Sequence, residues 1–475
     1  LIYNRDLFRR AGLTHPPRTW DELKTYAVKL TQRDDRGRLT VVGFAPLFGN
    51  SWLYMYGFMN GGRFMSPDGT RCTLNDPKIV EALTYMKDIY DALGGYSTVA
   101  AFQAGFQGNE LDPFIQGKIA MKIDVTEGMV RAEQYGRDLD YGVAPPPMPK
   151  EQIARGRRTT SWVGGFAYAI PSEARRKAAA WEFIRFMTSD RAMTIIAEAR
   201  KEAVEAQGRL FIPHQVPMVA LNERFARTYV YDNPRMPPNA RQGYRVFNDL
   251  LPIAHYRPVT PVGMLLWQEQ ILAMDNAFYG RLSPQRALDQ ATSIVQRDLE
   301  ERLHPVPGRP IRWTWFFIAY GAILAITAAV VAWKDASART AVRGQWAAGL
   351  IAAGPWLVGF VLFSGGAMLY SLLISFCAYD VLSVPRFTGL RNYVWMITQD
   401  RLLPVALWNT VYMLIGVPLA IAVSLAMALL LNQDVRGVTV WRTFFYLPSI
   451  VPLVAASVLW IWILNPQGGL INQVL

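Results

Sequence analysis

The chain has 475 residues, a formal net charge of +12 and only two cysteines. Its basic residues are scattered, which argues against a nucleic-acid-binding module, since such modules cluster basic residues on one face. Two cysteines and four histidines without local pairing also argue against a zinc site, and we predict neither a metal nor a cofactor.

Charge patterning divides the chain after Arg312. Beyond this residue lie four runs without a charged side chain, at 313–333, 344–379, 402–433 and 443–475. Each run can supply one membrane helix, because crossing a bilayer takes about 20 apolar residues. The sequence therefore predicts a water-soluble module joined to a membrane module.

Helix and strand signals alternate in the first 303 residues. A capping box at Thr19–Glu22 and an Asp76-Pro77 helix start predict two helices. Two more helices are predicted from Ser172 through Phe186 and from Ser283-Pro284 onward. Strand-like runs are Leu39–Ala45, Ile119–Asp124, Leu139–Ala144 and Phe166–Ile170. This alternation is typical of an α/β module.

A linker is predicted at 304–312. It contains Pro305, Pro307 and Pro310, which interrupt a continuous helix into the first apolar run. The run at 313–333 is then a separate membrane helix.

A family resemblance in the first part of the chain rests on Ile2–Gly12, Pro17–Leu23, Gly61-Gly62, 76–93, Phe114–Met121, Gly164-Gly165-Phe166, Ile170–Ser172 and Ala180–Phe186. Through these segments, residues 1–303 resemble a family 1 extracellular solute-binding protein, a receptor of ABC importers that typically serves sugars. The resemblance implies a two-lobed α/β domain of the periplasmic-binding-protein type. The family's first portion has no counterpart, so we expect this domain to be N-terminally incomplete.

A second resemblance rests on Phe387–Tyr393, Asn409-Thr410, Arg442–Pro448 and Asn465–Asn472. Through these segments, residues 346–475 resemble the amino-terminal half of a maltose-type sugar ABC permease. The resemblance implies an all-α transmembrane bundle of about four helices, counting 313–333 as an added tether. The family's cytoplasmic coupling loop has no counterpart before Leu475, so we expect a truncated domain.

The two resemblances together predict a multi-pass protein of the bacterial inner membrane. Residues 1–312 would be extracytoplasmic, and loop 334–343, with Lys334, Arg339 and Arg343, would be cytoplasmic, as the positive-inside rule prefers. The expected partners are a sugar-like solute, a second permease subunit, the lipid bilayer and a cytoplasmic ATPase.

Candidate ligand-binding residues follow from sugar chemistry. Sugars present apolar C–H faces ringed by hydroxyls, so their receptors combine aromatic rings with polar groups. At Asp124 this chain departs from the related family, which often has glycine there. The candidates are Asn50, Trp52 and Tyr54 in one loop, Asp124 and Glu127 after a strand, Trp162 beside Gly164 and Gly165, and Tyr256, Arg257 and Trp267 in a Pro-rich region. Each of them could instead serve core packing, capping or solvation.

Enzymatic activity is not expected. The chain has no Gly-x-x-x-x-Gly-Lys-Ser/Thr, so ATP hydrolysis would take place on a separate subunit. The sequence predicts solute capture and permeation by a receptor–permease fusion of an ABC importer. The alternative is a membrane-anchored solute sensor without transport. Monosaccharides, oligosaccharides and glycerol phosphodiesters remain open as solutes.

Overall fold

The computed structural model describes residues 1–106, 112–136, 138–157, 159–304, 309–311, 313–337, 345–379, 384–398, 400, 402–433, 437–464 and 470–471. The chain forms two compact units. The first unit comprises Leu1–Leu303 and Pro452–Leu475, and the second comprises His304–Val451.

The first unit alternates short strands with helices, as the α/β pattern predicts. A π-helical stretch lies at Ala226–Tyr231, and a 3-10 turn lies at Leu251–Ile253. The elements are β1 Ile2–Asn4, α1 Arg5–Arg10, α2 Trp20–Leu30, β2 Gln32–Arg33, β3 Leu39–Gly49, α3 Leu53–Met59, α4 Pro77–Ala92, α5 Tyr96–Ala104, β4 Ile119–Ile123, α6 Thr126–Tyr135, β5 Tyr141–Val143, α7 Lys150–Ala154, β6 Ser161–Val163, α8 Lys177–Met187, α9 Asp190–Glu205, α10 Val219–Phe225, α11 Pro238–Leu250, β7 Ala254–Tyr256, α12 Gly263–Phe278 and α13 Pro284–Leu303.

Capping explains where the first long helices begin. The Thr19 hydroxyl accepts a hydrogen bond from the Glu22 amide at 3.2 Å, as the capping box predicts. The Glu22 carboxylate accepts from the Arg18 amide at 2.7 Å, one residue earlier than the predicted reciprocal bond. Asp76 caps α4 through the Lys78 amide, and Pro77 occupies the first turn, where its missing N–H costs nothing.

In the middle of this unit one predicted strand is wrong, and one predicted helix is present but begins later than predicted. Phe166–Ile170 is irregular rather than a strand, and the strand lies earlier, at Ser161–Val163. The apolar side chain of Phe166 is exposed, so the alternation there does not reflect a buried sheet face. The helix predicted from Ser172 begins at Lys177, after two turns.

The central sheet has five strands in the order β2-β3-β4-β1-β5. Strands β3 and β4 are parallel, with Val42 opposite Ile119, and the other pairings are antiparallel. A separate two-stranded parallel pair joins β6 to β7, with Trp162 opposite His255.

Two hydrophobic cores flank this arrangement. One is built from α2–α5, β3, β4, α12 and α13, and the other from α6, β5 and α9–α11. The ring of Phe48, near the end of β3, packs against both cores. The first unit therefore contains two packed bodies that meet beside the end of β3.

A buried lysine lies in the central strand β4. Lys122 is 1% exposed, and its Nζ lies 3.2 Å from an Asp112 oxygen and 3.0 Å from an Asp124 oxygen. Arg131 of α6 completes the cluster at 3.1 Å from Asp124. These four side chains, Asp112, Lys122, Asp124 and Arg131, form the buried ion network.

The second unit is mainly helical, and α20 (Leu453–Ile463) follows it in the chain but belongs to the first unit. In the second unit, a short strand at Arg386–Phe387 pairs on one side with Arg309–Pro310 and on the other with Cys377–Ala378. The elements are β8 Arg309–Pro310, α14 Trp313–Ser337, α15 Gln345–Gly359, a π-helical stretch Phe360–Gly365, α16 Gly366–Ile374, β9 Cys377–Ala378, β10 Arg386–Phe387, α17 Arg391–Thr398, α18 Leu402–Leu431 and α19 Val438–Ile450.

Two helices are long and apolar enough to cross a membrane, judged by length and composition. They are Phe316–Lys334, with 19 residues, and Leu402–Leu431, with 30. Shorter apolar helices occupy Phe363–Ile374 and Val454–Ile463. Among the described residues, two of the predicted spans thus pass this test, and a bundle of about four helices stays a prediction. Of the predicted linker 304–312, residues 305–308 and 312 lie outside the described residues.

Replacing Lys122 by Met should strongly destabilise the first unit. The substitution leaves two buried carboxylates to Arg131 alone, and removing one partner from a buried ion pair typically costs about 3–5 kcal/mol. Denaturant unfolding of the chain in detergent micelles, followed by tryptophan fluorescence, measures this loss. Lys87→Met is the matched control, because Lys87 pairs with Asp91 at the surface and such pairs contribute less than about 1 kcal/mol. Equal losses in the two variants would contradict the structural role of the network.

Candidate ligand-binding site

The carboxyl ends of β3 and β4 meet at one edge of the sheet. Gly49 pairs with Ile123, and the Asn50 amide donates to the Ile123 carbonyl at 3.2 Å. Gly49 has a φ of +94°, and a Cβ there would lie 2.3 Å from the Ile123 oxygen, so this close approach requires glycine. The loops that begin at Asn50 and at Asp124 therefore start side by side, at the edge where α/β sheets bind ligands.

The first of these loops leads into α3. The Trp52 indole N–H donates to the Asn50 side-chain oxygen at 2.9 Å, which fixes the ring beside the strand end. Tyr54, in the first turn of α3, is 2% exposed, and burial raises the pKa of its hydroxyl. Asn50 and Trp52 are half-buried, so they keep a solvent-facing side.

Helix α12 brings Trp267 to the same place. The Trp267 ring meets Trp52 edge to face, with centroids 5.0 Å apart. It also stacks nearly parallel to Tyr54, at 6.1 Å and an interplanar angle of 8°. Edge-to-face and offset-stacked geometries are the favourable ones for aromatic pairs.

The β6–β7 pair adds a fourth ring and a cation. The Arg257 guanidinium, just after β7, lies 5.9 Å from the Trp162 centroid and 5.1 Å from the Trp267 centroid. We name this group the aromatic–arginine cluster. It consists of Trp52, Tyr54, Trp162, Trp267 and Arg257.

The glycines and the tyrosine near Trp162 lie at the exposed side of the cluster. A Cβ on Gly164 would come within 2.6 Å of the Trp162 ring, so the backbone approaches the indole closely. Gly165 has open space around it, and both glycines are exposed. Tyr256 is 76% exposed on β7, next to His255.

Asp124 is held by the buried ion network. Its side chain is 2% exposed, and one oxygen contacts both Lys122 and Arg131. The other oxygen accepts from the Val125 amide at 2.9 Å. Its contacts are thus internal, and a ligand-binding role for Asp124 stays a prediction.

Glu127 lies on the first turn of α6. Its carboxylate is 3.1 Å from the His214 Nδ1, and this hydrogen bond holds the pKa of Glu127 below its ordinary value. Among the described contacts, neither Asp124 nor Glu127 touches the aromatic–arginine cluster. The structure therefore brings five of the candidates together and leaves these two acids at the sheet edge, outside the cluster.

Sequence reasoning missed Lys122 and Arg131. A lysine inside the apolar run Ile119–Ile123 was the available signal, because a buried ammonium group requires carboxylate partners. Also missed was a polar chain from Thr126 through Gln215 and Asn248 to Tyr231, joined by hydrogen bonds of 2.9–3.2 Å. Nothing in the local sequence links these distant positions.

The chemistry of the cluster suits a small polar ligand with apolar faces. Half-buried indole rings provide stacking surfaces, and the guanidinium and exposed backbone amides provide hydrogen-bond donors. Within the described part of the chain, no group of three or more His, Cys, Asp or Glu side chains is placed to hold a metal ion.

The chain is similar to known receptors and to a permease. Residues 1–194 match the family model described as bacterial extracellular solute-binding protein. The ABC transporter permease protein YesP of Bacillus subtilis is 36% identical over 140 residues, which cover 28% of this chain and 44% of that protein. A binding protein of Brucella abortus is 25% identical over 301 residues, which cover 63% of this chain and 66% of that protein.

Among solved structures, a protein with mannobiose bound has a TM-score of 0.50 and 23% identity, over 62% of this chain and 68% of that one. This likeness shows a fold of the periplasmic-binding-protein type for the matched part. The chain spans less than half of the permease relative and about two thirds of the binding-protein relative. The matches agree with solute binding and transport rather than enzymatic catalysis.

Acidification should remove the contribution of Glu127 to stability. Because its folded pKa is lowered from 4.5, that contribution is full above pH 4.5 and is lost as the pH falls through the folded pKa. The difference in unfolding midpoint between the wild type and Glu127→Gln should thus shrink on acidification, as thermal unfolding at several pH values can measure.

Glu133→Gln is the matched control with the opposite sign. Burial raises the pKa of Glu133, so the folded state gains stability as the pH falls through that raised value. The advantage of the wild type over this variant should therefore increase on acidification. Parallel trends in the two variants would contradict the assignment.

Proposed function

We propose, from the match of residues 1–194 to bacterial extracellular solute-binding proteins, that this chain is a receptor–permease fusion subunit of a carbohydrate ABC importer. The receptor captures a solute outside the membrane and hands it to a pore formed with the permease part. ATP hydrolysis takes place on a separate cytoplasmic subunit.

The aromatic–arginine cluster is the observation that carries the proposal. Indole rings at 5.0 Å from each other, half-buried beside a sheet edge, provide apolar faces of the size of a sugar ring. Polar donors lie around them, as carbohydrate recognition requires. We assign stacking to Trp52, Trp162 and Trp267.

In this proposal, residues at the edge of the aromatic–arginine cluster make the polar contacts to sugar hydroxyls. Gly164 and Gly165 are exposed close to Trp162, and Tyr256 is exposed opposite Val163 in the β6–β7 pair. Asn50 orients Trp52 through its hydrogen bond and accepts from the ligand with its remaining lone pair. Tyr54 supports Trp267 from beneath, since it is buried and stacked on that ring.

In this proposal, the two packed bodies of the receptor close over the solute. They meet at Phe48, which packs against both cores. A ligand shifts such a pair towards the closed state when it makes contacts there that are absent in the open state. Glu127 and Asp124 belong to the strand-end edge and are assigned to the rim of the closed cleft.

The domain organisation follows the chain order. Residues 1–303 form the receptor, 304–312 the linker, 313–333 a tethering helix and 346–475 the amino-terminal part of a permease. Two apolar helices, Phe316–Lys334 and Leu402–Leu431, support membrane insertion.

The tethering helix keeps the receptor near its pore, at an effective concentration of about millimolar. We place the protein in the bacterial inner membrane, with a second permease subunit as partner.

Truncating a ring of the cluster should weaken sugar binding. Trp267→Ala and Trp162→Ala each remove one stacking face, and we expect affinity for a neutral disaccharide such as mannobiose to fall about two- to tenfold. Titration of the full chain in detergent micelles, followed by tryptophan fluorescence, measures this. Trp181→Ala is the control, because Trp181 is exposed on α8 and outside the cluster. Equal effects of all three variants would place the ligand elsewhere.

Membrane topology can be tested with single cysteines. In a variant with Cys72 and Cys377 replaced by serine, Thr388→Cys should react with a membrane-impermeant maleimide in intact spheroplasts, because we assign loop 377–401 to the outside. Lys334→Cys should react only after lysis, because loop 334–343 is assigned to the cytoplasm. Reaction of both cysteines in intact cells would contradict the assigned crossing of 313–333. Transport assays of the assembled importer distinguish permeation from sensing.

A further inference from the structure

We infer that Arg257 makes this site selective for a saccharide carrying an acidic group, either a carboxylate or a phosphate. The inference rests on the proposed function, since it concerns the same cluster, and it specifies the class of solute. The observation that carries it is an exposed guanidinium held over two indole rings.

The position of Arg257 is fixed by the rings rather than by an anion. Its guanidinium is 5.1 Å from the Trp267 centroid and 5.9 Å from that of Trp162. Cation–π attraction of this kind orients the planar group while leaving its N–H donors free to bind a ligand. Among the residues that the structure describes, Arg257 has no salt bridge and no side-chain hydrogen bond.

The other stacked arginines of the first unit, Arg209, Arg245 and Arg281, each lie over a tyrosine ring. Arg281 lies over Tyr279 at 5.0 Å; burial raises the pKa of the Asp275 carboxyl, and the charge of Arg281 partly opposes this rise. Arg209 lies over Tyr135 and donates to the hydroxyl of that residue at 3.1 Å. Within the described residues, Arg257 is the only arginine placed over two indole rings.

A ligand that stacks on these rings also meets the guanidinium. A neutral ligand that covers Arg257 removes water from the guanidinium without supplying an ion pair in its place, and this desolvation is unfavourable. A carboxylate or a phosphate compensates this loss, because both match the guanidinium fork with two parallel hydrogen bonds. Near the Trp162 ring, the exposed Gly165 has open space where a side chain would otherwise lie.

The electrostatics of the cluster agree with this inference. The positive charge of Arg257 opposes the rise that burial causes in the pKa of Tyr54, so its field reaches the base of the cluster. Asp124 and Glu127, the acidic candidates at the sheet edge, are paired with Lys122 and Arg131 and with His214 respectively. Their negative charges are thus compensated locally and do not neutralise Arg257.

The test compares the binding of glucose with that of its acidic derivatives. The full chain in detergent micelles is titrated calorimetrically with glucose, glucuronate and a glucose phosphate ester, and with mannobiose as a second neutral probe. We expect at least one acidic probe to bind about tenfold or more tightly than glucose at low salt. This difference should narrow at high salt, since a partly exposed ion pair is screened.

Substitution of Arg257 separates the charge from the rings. Arg257→Gln should weaken binding of the acidic probe about ten- to hundredfold, the range expected for loss of a charge-assisted hydrogen bond, and leave neutral probes within about threefold. Arg257→Lys keeps the positive charge but lacks the planar guanidinium with its two parallel donors. Its affinity for the acidic probe should lie between the affinities of the wild type and of Arg257→Gln. Arg281→Gln is the matched control, being an exposed stacked arginine outside the cluster. Near-UV circular dichroism checks that the aromatic packing persists.

Each outcome decides the inference. Arg257-dependent binding of glucuronate supports a carboxylate, and that of the phosphate ester supports a phosphate. Tight binding of neutral probes that is indifferent to Arg257 overturns the acidic selectivity and leaves the carbohydrate receptor intact. If no probe of either class binds to a folded protein, the proposed function fails and the inference falls with it.

Discussion

The buried ammonium of Lys122 constrains the first unit more than any other single group. It lies in the central strand of the sheet, 1% exposed, between Asp112 and Asp124. Removing a charge from water is costly unless the geometry of its partners is good, so this strand must lie where both carboxylates reach it. Arg131 brings α6 to the same point and so fixes the helix that follows β4.

The candidate site depends on this arrangement. Since β4 is fixed, its parallel neighbour β3 ends beside it, and Gly49 permits the close approach to Ile123. The chain then turns directly into Trp52 and α3. Trp267 and Trp162 come from elements more than a hundred residues away in sequence, and their rings complete a surface that no single segment contains.

Local sequence signals predicted local structure well. The hydroxyl of Thr19 and the pair Asp76-Pro77 begin helices because capping satisfies amides within a few residues, whatever the rest of the fold does. The same reasoning was wrong at Phe166–Ile170, where alternating residues suggested a strand. A strand needs a partner as well as a pattern, and Phe166 is exposed without one.

The sequence by itself determined that an α/β part precedes an apolar part, because burial and membrane insertion both act through composition and periodicity over short windows. It also marked the residue types that suit a sugar. Only the tertiary structure decided which of them meet. The sequence around Asp124 does not indicate that its carboxylate pairs with Lys122 and Arg131. Nor does the sequence around Arg257 indicate that its exposed side chain lies over two indole rings. Contacts between distant segments depend on the topology of the fold, which no short segment of the sequence specifies.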